Sequence, residues 1–137
     1  MSRVINLDST GKQRAQLSKA IVLAVRQLAR QQDTGAEARD LAAFIAMALK
    51  AISEGIDSSV AAWEKRDYWV KADKFRMDWA WASPAAEKMR RAVLSADWRS
   101  VAAVSAQVAE KFNKIQVSDK NRLGRPWVGA FKQLDEE

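Results

Sequence analysis

The sequence predicts an all-α bundle of five to six helices, and three observations point to it. Five Gly and two Pro punctuate 137 residues, too few for the tight turns an all-β chain needs. Ala, Lys, Arg, Gln and Glu, which are good helix formers, fill the spaces between apolar residues. Those apolar residues recur at three- and four-residue steps over most of the chain. With 48% hydrophobic and 29% charged residues, the composition is that of an ordinary globular chain, and a single domain over residues 1–137 is expected.

Residues 1–9 read as an N-terminal tail. A first helix is predicted from about Gly11 to Gln31, with Leu17, Ile21, Ala24 and Leu28 on one face and Thr10 with Gln13 as a capping box. The polar run QQDTG ends it. Thr34 with Glu37 offers a second capping box, so two long helices are expected to lie antiparallel.

The second helix carries Leu41, Phe44, Ile45, Met47, Leu49 and Ile52 with Ala between them, the pattern of a central helix. At 100° per residue, Leu41, Ile45, Leu49, Ile52, Ile56, Trp63, Val70, Met77 and Trp81 share a sector of roughly 80°. Two readings remain open. Helix 2 is either continuous with the Trp-rich segment as one rod about 60 Å long, or Gly55 or Asp57 breaks it and Asp57 with Ser58 caps a third helix.

Ser83 followed by Pro84 marks the next boundary, an N-cap residue before Pro at the first helical position. A short helix from Pro84 to Leu94 is expected to bury Met89 and Val93. Asp97 then caps a helix striped with Trp98, Val101, Ser105, Val108, Phe112 and Ile115. Residues 116–137 form a basic turn and a short C-terminal helix. Gly124 is expected at a positive φ, and Pro126 is expected to start the last helix with Trp127, Phe131 and Leu134 on one face.

The residue inventory removes several chemistries. His and Cys are both absent, so the usual zinc ligands, a Ser-His-Asp triad and disulfides are excluded. No EF-hand ladder of Asp and Asn appears, and neither a metal nor a cofactor is expected. Ser9, Thr10, Gly11 and Lys12 imitate the end of a phosphate-binding loop, but Asn6 stands where its first Gly belongs and Gln13 replaces the final Ser or Thr. Glu64, Asp67, Lys71, Lys74 and Asp78 alternate in sign along one helix face, as a solvated ladder does. An enzyme is not expected. The most apolar stretch, LAAFIAMAL, is too short to span a membrane, and the opening MSRVINLDST has no secretory core. A cytoplasmic, soluble protein is therefore expected.

The segment Trp63 to Trp81 holds six of the eleven aromatic residues. Read as one helix, Tyr68, Ala72, Phe75 and Trp79 form a core-facing stripe, while Trp63, Val70, Met77 and Trp81 form a second stripe nearly opposite. A small bundle cannot easily bury both. Trp63, Val70, Met77 and Trp81 are therefore the expected docking face for a second copy of the chain or another protein. The net charge of +6 supplies the alternative. Lys111, Lys114, Lys120, Arg122 and Arg125, with Trp127 beside them, would form a nucleic-acid-binding region.

Overall fold

The computed structural model describes residues 7–137, with side chains from Thr10 onward. The described residues form six helices and no strand: α1 Leu7–Ala29, α2 Ala36–Lys65, α3 Trp69–Trp79, α4 Ala82–Leu94, α5 Trp98–Lys111 and α6 Ala130–Asp135. Helix α2 is the axis. Helices α1, α3, α4 and α6 all pack on it, and α5 closes the bundle against α4 with a slighter touch on α1.

The core follows from the apolar stripe of α2. Leu41, Ile45, Leu49, Ile52 and Ile56 are all buried, as are Ile21 and Ala24 of α1, Met89 and Val93 of α4, and Val101, Val104 and Val108 of α5. Burying each Leu, Ile, Val or Met side chain stabilises the fold by about 1.5–3 kcal/mol. Gly55 sits at a close approach of the two long helices, since a Cβ there would lie 3.3 Å from the Thr10 methyl. That approach of an early α1 residue to a late α2 residue makes the pair antiparallel, as expected.

The helix ends differ from the sequence reading. Helix α1 begins at Leu7, so part of the expected tail is helical and Thr10 lies in its first turn, not at its N-cap; the remaining tail residues lie outside the described ones. Helix α2 starts after Gly35 without a side-chain cap. Asp33 accepts the Gly35 N–H at 2.9 Å, and Glu37 turns instead to Arg125. Helix α4 begins at Ala82, two residues before Pro84. Proline is tolerated in that first turn because the N–H groups there have no intrahelical acceptor.

Neither reading of the α2–α3 junction was right. Helix α2 runs through Gly55 and Asp57 for 30 residues, about 45 Å, and reverses at Asp67, inside the Trp-rich segment. The Tyr68 N–H donates to the Trp63 carbonyl at 2.9 Å and the Asp67 N–H to that of Glu64 at 3.1 Å, with Asp67 at φ 62°. This is the left-handed C-terminal motif usually built on Gly. The end of α4 repeats it with Ala96 at φ 55°, the Asp97 N–H reaching the Ala92 carbonyl at 2.8 Å. Asp97 then caps α5 as predicted, accepting the Ser100 N–H at 3.2 Å and its hydroxyl at 2.7 Å.

Candidate interaction surface

The reversal at Asp67 lays α3 back against the end of α2. Phe75 meets Trp63 edge-on at 4.8 Å, and Lys71 stands 4.6 Å over the Trp63 ring. Arg76 bridges Glu64 at 2.7 Å and Asp73 at 2.6 Å; bonds to Glu64 first, and to Asp73 next, raise its pKa. Ala72 is fully buried, and Phe75 and Trp79 pack on the core. The opposite side of α3 is left open.

Val70 is 86% exposed and Met77 76%. Of the four residues expected to form a docking stripe, these two point outward. Trp63 and Trp81 are half-buried against the core instead. The left-handed residue Asp67 resets the helical phase, so a stripe drawn straight through Trp63 and Val70 does not exist. Tyr68, expected in the core, is 53% exposed, and Trp69, which neither stripe included, is 54% exposed. Four of the five large apolar side chains exposed among the described residues, Tyr68, Trp69, Val70 and Met77, therefore lie on α3 or at its entrance. Such a cluster is more informative than apolar residues scattered singly.

A second aromatic group gathers where α3 ends. Trp79 and Trp81 stack with ring centres 6.1 Å apart and planes 23° from parallel, and Phe112 meets Trp81 edge-on at 5.4 Å. Cations cover this group. Lys111 lies 5.9 Å over Trp81, and Arg14 lies 4.9 Å over Phe75 and 5.9 Å over Trp79. Burial lowers the Arg14 pKa from its ordinary value.

The basic C-terminal residues are only partly free. Trp127 is 4% exposed, so no base can stack on it, and it anchors the chain to the core. Arg125 is paired with Glu37, and Asp119 holds Arg26 at 2.7 Å and Arg30 at 3.3 Å. Gly124 takes φ 70° as expected, but the last helix begins after Gly129 at φ 81° and not at Pro126. Lys114, Lys120 and Arg122 are exposed. Among the described residues no cluster of three or more acidic side chains is arranged to hold a metal ion, and no helix is long and apolar enough to cross a membrane.

The chain is an all-α bundle with an apolar patch on its third helix. It matches no family model, no curated protein and no solved structure.

Proposed function

We propose that the protein is a non-enzymatic interaction module that associates with a second copy of itself through the outward side of α3. The observation that carries this reading is the self-complementarity of Val70, Asp73, Lys74 and Met77. Their spacing puts them on one side of the helix, and all four are exposed. In a twofold contact, each residue meets the one that its own counterpart meets in return.

With two α3 helices antiparallel and the axis between residues 73 and 74, Val70 faces Met77 of the partner subunit. Asp73, which also holds Arg76 of its own helix, then faces Lys74 of the partner subunit, which also holds its own Asp78. Apolar meets apolar, and acid meets base. Tyr68 and Trp69 lengthen the patch with the residue types enriched at interface centres. Helix α3 has only 11 residues, so the contact buries less than the ~1,200–2,000 Å² of a stable interface. The dimer is accordingly weak and concentration-dependent, and a sequence without cysteine favours a cytoplasmic setting for it.

Sedimentation velocity across a concentration series tests the reading. Lys74→Asp sets acids against acids at the axis and should give monomers, whereas adding Asp73→Lys to it reverses both signs and should restore the dimer. A monomer at every concentration up to about 500 µM, or a charge-swap series without effect, would sink the proposal. Nucleic-acid binding is the second reading. Lys114, Lys120 and Arg122 favour it, because they are exposed and enter no ion pair among the described residues. It requires a mobility shift that fades steeply with salt, and no shift with DNA or RNA at low salt ends it.

A further inference from the structure

A cleft of about 510 Å³ opens between the first half of α1, the end of α3 and the end of α5. Its apolar wall is made by Trp79, Trp81 and Phe112, and its rim carries Arg14, Lys19 and Lys111. The only acid in the lining among the described residues, Asp78, is held by Lys74 at 3.1 Å. Three cations thus face one carboxylate that already has a partner.

Arg14 is half-buried and enters none of the ion pairs formed among the described residues. The Phe75 and Trp79 rings, 4.9 and 5.9 Å away, offset part of the cost of removing the Arg14 guanidinium from water, and an anion that entered the cleft at the edge of the guanidinium would offset more. Gly11 supplies the room. It lies within α1, where glycine weakens a helix, and among the described residues a Cβ there would find nothing nearer than the Arg14 guanidinium at 4.0 Å. No packing contact with a described residue requires glycine at this position, and its consequence is an open floor to the cleft.

We propose that this cleft binds a small organic molecule with a flat ring and a single carboxylate. The ring lies against the edges of the aromatic wall, since Arg14 and Lys111 already stand over Trp79 and Trp81, and the carboxylate takes the fork of Arg14, whose planar pair of donors matches two carboxylate oxygens. Lys19 and Lys111 add attraction from the rim. The volume lies within the ~300–1,000 Å³ usual for small-molecule pockets.

Indole-3-acetate and its uncharged analogue indole-3-acetamide are suitable probes, titrated into the full chain by calorimetry. The acid should bind at least about tenfold more tightly than the amide. Arg14→Gln should bring the acid down to the level of the amide. Gly11→Leu, which fills the floor and favours the helix, should remove binding of both while the circular dichroism spectrum and melting temperature are retained. Should Arg14→Gln fail to fold, Lys111→Gln replaces it and should weaken the acid alone. No heat at about 5 mM acid, equal affinity for acid and amide, or undiminished binding to Gly11→Leu would overturn the proposal.

Discussion

Asp40, on α2, accepts the backbone N–H of Phe131 at 2.9 Å across 91 residues of sequence. Its other oxygen accepts the Gly129 N–H at 3.1 Å, so one side chain caps α6 from a different helix. Arg39 adds its guanidinium 5.1 Å from the Phe131 ring. A six-residue helix cannot persist on local hydrogen bonds, because nucleation is costly and helices this short are marginal. The docking of α6 therefore depends on α2.

Asp40→Ala is accordingly expected to cost about 1 kcal/mol, the usual cost of losing a helix cap. Urea denaturation gives the magnitude, and hydrogen exchange gives the place: amides of α6 should lose protection before those of α2. Equal protection of α6 in both proteins would show that the cap is dispensable.

Ala96 occupies a left-handed position that glycine takes without a steric cost. Ala96→Gly should stabilise the protein by about 0.5–1 kcal/mol, the opposite of what Gly usually does. A lower denaturation midpoint in the variant would contradict this. Asp67→Gly should gain less, since Asp tolerates that region better than Ala.

Acid should weaken the fold through two aspartates. Hydrogen bonds from the Ser100 hydroxyl and N–H lower the pKa of Asp97, and the bond from Arg26, with the nearby Arg30, lowers that of Asp119. A carboxyl whose folded pKa is depressed adds stability above its unfolded value, and that contribution disappears as pH falls through the folded value. The loss should begin near the ordinary aspartate range, about pH 4, and continue below it. In Asp97→Ser with Asp119→Asn, denaturation midpoints between about pH 5 and pH 2.5 should fall less steeply than in the parent. Parallel curves would remove these residues from the explanation.

Trp81 and Val70 were expected on one face, and their substitutions should now separate. Trp81→Ala opens a hole among Trp79, Phe112 and the Lys111 stem and should cost about 2–3 kcal/mol, less than for a fully buried indole. Val70→Ser should change stability by no more than about 0.5 kcal/mol. Chemical denaturation at low protein concentration makes the comparison. A large loss at Val70, or none at Trp81, would reverse the assignment of core and surface.

Most of the helices were legible because their periodicity is a local property. Leu41 to Ile56 announces a central helix, and Asp97 announces the start of α5 through a hydrogen bond made three residues away. The break at Asp67 was harder to see, because Gly55 looked the weaker link. Gly55 lies inside α2 with the Thr10 methyl close beside it, a contact between helices that no local reading contains. The one available signal was Asp67 after Lys65 and Arg66, a residue type that tolerates left-handed geometry behind a basic last turn.

The amino-acid order alone therefore determined the class: an α-helical bundle around the apolar ridge of its second helix, with no thiol or imidazole chemistry. Which aromatic rings face water was decided only in three dimensions. One left-handed residue rotates everything after it relative to everything before, and side chains that share a phase on an ideal helix are thereby parted. Trp63 is folded inward under Phe75 while Val70 and Met77 are turned out, because burial is settled by where α3 lands on α2 and not by the spacing of its residues.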